Sequence, residues 1–222
     1  WWTPLPFSLP MPEKKIALLK KIEGLKIDPI ISAELDLVAK RLEDSGWVIE
    51  EPKAPNFQEA AKFQATLWLG EFRRTGGEAI TKENDPDSNF IYSQMSRRCP
   101  DTSLEKFMDS LQQRARISRE WNKFFDQYPI ILCPITGDVP FPDLKDLESE
   151  ESFDLVFDSM LPQIAPPYMG LPGLSFATSQ TKQKIPLGVQ FISRKFREDL
   201  LLNVAYDHEN YYPKIDPVLP SF

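Results

Sequence analysis

An amphipathic helix between two short apolar runs, near the N-terminus, constrains the fold more than any other feature. Asp28 and Pro29 are typical of a helix N-cap followed by a first-turn proline, and apolar residues follow at helical spacing up to Gly46. Residues 14–21 (KKIALLKK) and 47–49 (WVI) are long enough for strands and too short for independent helices. The order strand, helix, strand predicts a parallel βαβ unit and therefore an α/β fold.

Prolines set most of the other boundaries, since the chain has 21 of them and only 9 glycines. Residues 1–13 are predicted to be an extended, Pro-rich segment that leads into the domain, which we call the lead-in. A long helix is predicted from about residue 102 to 128, and Pro129 ends it. Residues 130–133 form an apolar run between prolines, which predicts a strand covered on both faces. Further helices are predicted at 57–74, 152–161 and 198–209, and further strands at 174–177 and 187–193.

Two further segments are predicted as loops. The polar cluster around Asp85-Pro86-Asp87 indicates a surface loop over residues 81–88, and the proline-containing segment 165–173 is interpreted in the same way. We therefore expect a mixed sheet flanked by helices in a single domain, residues 1–222. Its parts are the lead-in (1–13), an αβ unit (14–77), a variable loop (78–100) and the C-terminal strands and helices (101–222).

The charge balance excludes some classes of partner. Lys and Arg number 26 against 33 Asp and Glu, which gives a formal net charge of −7. Nucleic acids and anionic membranes attract clustered positive charge, so neither is an expected partner. No apolar run is long enough to span a bilayer, and we expect a soluble, cytoplasmic protein without a membrane span. Because the sequence starts at Trp1 rather than at Met, we also expect that a segment upstream is missing.

Residue chemistry alone indicates no active site. The only histidine, His208, lies in the last predicted helix beside two acidic residues and is interpreted as a solvated helix end. Cys99 and Cys133 allow at most one disulfide and have no metal-ligand spacing. No nucleophile elbow, phosphate-binding loop or zinc motif is present in the sequence. The acidic residues between 148 and 158 and the arginines between 114 and 119 are interpreted as solvated surfaces.

The last third of the chain resembles the C-terminal part of the amidase signature family. In that family a Gly-Leu-Pro segment leads into a strand, a Pro-x-Gly-x-Gln strand follows, and a helix that begins with Glu-Asp closes the domain. The matching residues are Gly170, Leu171, Pro172, Ile185, Pro186, Gly188, Gln190, Phe196, Glu198, Asp199 and Leu200. Upstream, residues 121–125 resemble the family's Trp-x-x-Phe-Phe helix end and residues 140–142 its Pro-Phe-Pro. The likeness covers essentially the whole chain.

The resemblance implies the C-terminal part of an amidase-type α/β/α sandwich. Family members hydrolyse or transfer amide nitrogen with a Lys, a cis-configured Ser and a nucleophilic Ser, and they need no cofactor or metal. Those elements precede the segment seen here, so we expect no catalytic residue in this chain and no activity by itself. The implied partners are the missing N-terminal half of the same protein and a small-molecule amide. The resemblance places Thr136, Gln163, Ile164, Pro167 and Tyr168 in the substrate-pocket wall.

Two alternatives remain open at this point. One is a non-catalytic binding protein that retains an amidase-derived scaffold, and the other is a transamidase (amidotransferase) subunit. A half-sheet would expose unpaired strand edges and apolar surface, so we expect the chain to associate with itself, as a homo-oligomer, or with a partner. Gly188 and Gln190 are interpreted as structural residues: the glycine would admit a neighbouring backbone, and the glutamine amide would satisfy a buried backbone group.

Overall fold

The computed structural model describes residues 12–211, in which a five-stranded mixed sheet carries helices on both faces. The strands lie in the order β2-β1-β3-β5-β4. β1 pairs in parallel with both β2 and β3, and β5 is antiparallel to both β3 and β4. The predicted parallel βαβ unit is therefore confirmed. The strands are β1 (Lys15–Leu18), β2 (Val48–Glu50), β3 (Ile130–Pro134), β4 (Gly173–Gln180) and β5 (Pro186–Ser193).

Eight α-helices fall within the described part of the chain: α1 (Pro29–Asp44), α2 (Phe57–Thr75), α3 (Gly77–Glu83), α4 (Pro86–Arg98), α5 (Leu104–Gln127), α6 (Glu150–Ser159), α7 (Leu161–Met169) and α8 (Glu198–His208). Short 3-10 helices occupy Lys145–Leu147 and Glu209–Tyr211. The predicted helix start at Asp28 is confirmed, because its carboxylate accepts from the N–H of Ile30 at 2.7 Å. None of these helices is both long and apolar enough to cross a bilayer.

The core consists of two apolar layers, one on each face of the sheet. Because side chains alternate along a strand, Ile16 and Leu18 of β1 pack with α1 and α8, while Ala17 packs with α2, α5 and α7. β3 is buried along its whole length, as the continuous apolar run predicts. The sheet is thus covered on both faces, the arrangement that an α/β/α sandwich requires.

The prediction of a surface loop over residues 81–88, and of a loop throughout 78–100, is wrong. Asp85 caps α4 by accepting from the N–H of Ser88 at 2.8 Å, with Pro86 as the first helical residue. Asn84 ends α3 in the left-handed conformation, with φ at 56°. The Asp-Pro pair marks a helix start, as Asp28-Pro29 does, and not a turn. The Pro-rich lead-in, residues 1–13, lies almost wholly outside the described residues.

Two smaller predictions also differ from the structure. Residues 165–169, predicted as loop, belong to α7 even though Pro166 and Pro167 lie inside that helix. His208, predicted as a solvated helix end, is buried with 1% of its surface exposed. It stacks on Phe176 of β4 and lies against Tyr211 because α8 returns across the sheet. Helical position alone could not predict the burial of His208, which depends on that tertiary contact.

Candidate functional site

The main cavity of interest, which we call the inner cleft, lies between α2, the end of α4 and the α6–α7 pair. Its volume is about 570 Å³, within the range of small-molecule sites. Apolar side chains line most of it, from Trp68, Leu69, Met95, Phe157, Leu161 and Ile164. Polar residues also line it, namely Gln58, Lys62, Thr66, Arg98, Cys99, Asp101, Thr102, Lys106 and Asp158. A mostly apolar cavity with a few polar groups is suited to an organic molecule with one polar end.

Ion pairs tie α4, one wall of the inner cleft, to α6. Arg98 bonds to Asp154 at 2.7 Å and also pairs with Asp158, and Arg97 reaches Asp154 at 2.6 Å. The Arg98 guanidinium also lies over the ring of Phe157, 4.6 Å from its centroid. The hydrogen bond from Arg98 holds the pKa of Asp154 below its usual value. The acidic cluster of α6 thus holds α4 in place in addition to facing solvent.

A smaller cavity, which we call the loop cavity, lies beneath the segment that follows β3. It holds about 320 Å³ and includes both Thr136 and Gln163 in its lining. The Thr136 hydroxyl donates to the carbonyl of Asp138 at 2.7 Å, and the Gln163 amide donates to the carbonyl of Ile135 at 3.2 Å. Gln163 thereby fastens α7 to the loop after β3.

The five candidate residues from the sequence are distributed over different surroundings. Ile164 lines the inner cleft, while Thr136 and Gln163 line the loop cavity on the other side of α7. Tyr168 is fully buried: its hydroxyl donates to the carbonyl of Ser110, and burial raises the pKa of Tyr168 to about 12. Pro167 is exposed at the end of α7. The structure therefore brings Thr136 and Gln163 together and places the other three apart.

Gln190 of β5 explains how α7 forms despite its internal prolines. A proline at position 166 has no N–H to donate to the carbonyl of Pro162, four residues earlier. The Gln190 side-chain amide donates to that carbonyl instead, at 3.1 Å. The expected role of Gln190, satisfying a buried backbone group, is thus observed. Gly188 also has its expected role, because a Cβ there would lie 2.7 Å from the carbonyl oxygen of Phe176.

Several cleft residues were missed by the reasoning from sequence. Lys62, Thr66 and Trp68 lie on α2 and were seen only as members of a core helix, whereas Met95 and Arg98 lie in the segment predicted as a loop. Trp68 is 51% exposed, a fact that only the structure shows, so the sequence carries no signal for its place in the cleft. The other residues reach the cleft only through the packing of α4 and α2.

The described residues offer no metal centre and no disulfide. No cluster of three or more His, Cys, Asp or Glu residues suited to a metal ion occurs between residues 12 and 211. Cys99 and Cys133 both carry free thiols, so the bridge that the sequence left open does not form. Burial raises the pKa of Cys133 to about 12, which keeps that thiol protonated and unreactive.

The mixed sheet between two helical layers, with an apolar cleft against α7, defines an amidase-type α/β fold. The chain belongs to the amidase family, whose family model, described as Amidase, matches residues 10–202. It is 28% identical over 213 residues to an indoleacetamide hydrolase from Bradyrhizobium diazoefficiens, covering 95% of this chain and 40% of that protein. It is 22% identical over 231 residues to a component of the glutamyl-tRNA(Gln) amidotransferase from Gloeothece citriformis, covering 93% of this chain and 47% of that protein.

The solved structure of a 6-aminohexanoate cyclic dimer hydrolase has the same fold. It superposes with a TM-score of 0.73 at 15% identity, over 93% of this chain and 47% of that one. The chain therefore spans less than half the length of these relatives. Their other half has no counterpart in the residues of this sequence.

Proposed function

We propose that this chain is the C-terminal half of an amidase-type hydrolase that cleaves non-peptide carboxylic amides. In this proposal the chain supplies the scaffold and one wall of the substrate pocket, and the N-terminal half of the same protein supplies the catalytic Lys and serines. The observation that carries the proposal is the inner cleft, an apolar cavity with a polar margin, on a chain that spans 40% of a related amide hydrolase.

The lining of the inner cleft favours an amide with an aromatic or aliphatic body. The half-exposed indole of Trp68 provides a flat apolar surface, and the side chains of Thr66 and Lys62 line the same cleft. An arylacetamide has this distribution, an apolar ring and one small carboxamide. The nature of the related indoleacetamide hydrolase supports the same substrate class, and indole-3-acetamide is the substrate of choice for a test.

The test compares ammonia release from indole-3-acetamide by two proteins. The full-length protein is expected to hydrolyse the amide, and the purified 222-residue chain is expected to be inactive. Hydrolysis by the 222-residue chain in a preparation free of contaminating amidase would contradict the assignment of the catalytic groups to the other half. If the natural protein consists of only these 222 residues and binds the amide without cleaving it, the alternative of a non-catalytic scaffold is favoured.

A variant pair links the activity to the inner cleft. Ile164→Asn places an amide in the apolar wall and is expected to raise KM for indole-3-acetamide several-fold. The matched control is Leu37→Asn on α1, which is 38% exposed on the opposite face of the sheet. Equal KM values for the two variants would show that the inner cleft does not bind the substrate.

Amidotransfer is the second candidate, because several relatives are components of glutamyl-tRNA(Gln) amidotransferases. The discriminating measurement is the fate of the released nitrogen. A hydrolase delivers ammonia to water at a rate that no partner changes, whereas a transferase subunit requires an acceptor and a partner protein for full turnover.

A further inference from the structure

A second groove opens beside the inner cleft, between α2, the α3–α4 pair and the 3-10 helix at residues 145–147. We call it the outer groove; its volume is about 380 Å³. Its own apolar lining, apart from the residues it shares with the cleft, comes from Phe72, Ile80, Ile91, Tyr92, Leu144 and Leu147. An apolar cavity of this size is large enough for part of an organic ligand.

The two cavities share a wall. Trp68, Leu69 and Met95 line both the inner cleft and the outer groove. Leu69 is 2% exposed and fixed in the core, whereas the indole of Trp68 is 51% exposed. Met side chains adapt their shape readily. The partition between the cavities thus consists of one anchored side chain, one half-exposed indole and one thioether chain of adaptable shape.

The charge of the outer groove restricts what it can hold. Asp87 and Asp146 are its charged lining residues, and no Lys, Arg or His among the described residues contributes to it. Carboxylates disfavour an anionic ligand, and the apolar lining disfavours a strongly hydrated one. A neutral hydrocarbon group is the occupant that matches this lining.

We propose that the outer groove extends the substrate cleft and receives the distal hydrocarbon of an elongated neutral carboxamide whose amide end lies in the inner cleft. Trp68 and Met95, at the partition, then determine how long a substrate the protein accepts. The inference rests on the proposed function, because it takes the inner cleft as the amide-binding part. It adds a substrate class, amides with extended aliphatic chains, and a structural reason for selecting them.

The experiment measures KM for ammonia release from the series acetamide, butanamide, octanamide and dodecanamide, with the full-length protein. Each methylene transferred from water to an apolar site tightens binding about fourfold. We expect affinity to continue rising from octanamide to dodecanamide, as the chain passes the partition.

A matched pair of variants distinguishes binding in the outer groove from nonspecific hydrophobic binding elsewhere on the protein. Leu144 lies at the groove, is 58% exposed and has φ at 57°, a left-handed conformation that Asn adopts more readily than Leu. Leu144→Asn should therefore fold normally and reduce the octanamide-to-dodecanamide gain at least threefold. Leu202→Asn on α8, also 58% exposed, should leave the gain unchanged. Ile91→Asn is a second groove variant with the same expected result as Leu144→Asn.

The outcomes distinguish this inference from the proposed function. If short amides bind and indole-3-acetamide is hydrolysed, but octanamide and dodecanamide bind equally, the outer groove is not part of the site and the proposed function stands. If the gain with length is the same in Leu144→Asn and Leu202→Asn, the hydrocarbon binds elsewhere and the inference is wrong. If no amide binds or is hydrolysed, the proposed function itself fails and the inference fails with it.

Discussion

The hydrogen bond between Gln190 and α7 gives the sharpest test of how this fold is held together. Pro166 has no N–H, so the buried carbonyl of Pro162 depends on the Gln190 amide at 3.1 Å. Gln190→Met retains the length of the side chain and removes the donor. The expected loss of unfolding free energy is about 1–3 kcal/mol, the cost of leaving a buried acceptor without a partner.

A second substitution restores the missing donor in a different way. Pro166→Ala supplies the backbone N–H that a regular helix would direct at the carbonyl of Pro162. In that background the cost of Gln190→Met should fall by at least about 1 kcal/mol, because contacting sites couple by roughly that amount. Pro167→Ala is the matched control: its new N–H is directed at the carbonyl of Gln163, so the cost of Gln190→Met should remain unchanged.

The assay is urea unfolding of the single and double variants, followed by tryptophan fluorescence, to which the buried Trp47 and Trp121 both contribute. Equal slopes with urea would show that the variants unfold to comparable states. If Gln190→Met costs the same in the wild-type, Pro166→Ala and Pro167→Ala backgrounds, the Gln190 amide does not replace the helical donor, and the account of α7 given above is refuted.

Three further predictions concern packing, pH and the wall of the inner cleft. Gly188→Ala should lower the free energy of unfolding by about 1–3 kcal/mol, because the new Cβ would lie 2.7 Å from a carbonyl oxygen of β4. Gly173→Ala is the control, since the nearest atom to a Cβ there is 3.8 Å away, and thermal unfolding of both variants is the test. Burial lowers the pKa of His208 from 6.5 to about 4, so between those pH values the unfolded chain binds a proton that the folded chain does not. The free energy of unfolding should therefore fall by up to about 3 kcal/mol as the pH drops from 6.5 to 4. His208→Phe should flatten this pH dependence in urea titrations. Asp154→Asn weakens the contact with two arginines of α4 and should speed amide hydrogen exchange in α4. The free energy of global unfolding should change by less than about 1 kcal/mol. Unchanged exchange would show that the ion pairs do not hold α4 in place.

The helix and strand patterns that depend on local chemistry could be predicted from the sequence. The Asp28-Pro29 start, the amphipathic stripe of α1 and the continuous apolar run of β3 each follow from periodicity and capping, and the structure confirms them. The same local reasoning failed at Asp85-Pro86, where the signals for a helix start and for a turn coincide. The family resemblance rested on short motifs of glycine, proline and glutamine, and the family model that matches residues 10–202 confirms it.

The tertiary structure alone decided which residues share a site. Ile164 and Gln163 are adjacent in sequence, yet they line different cavities on opposite sides of α7. Trp68 and Met95 line the same cavity only because α4 lies beside α2, and Tyr168 is buried in the core, where its hydroxyl contacts α5. α7 itself accepts a hydrogen bond from an amide of β5, a strand that follows it in the chain. Capping, periodicity and chain stiffness act between residues close in sequence and can therefore be predicted from it. A cavity forms where segments distant in sequence pack together, so it could not be predicted in this way.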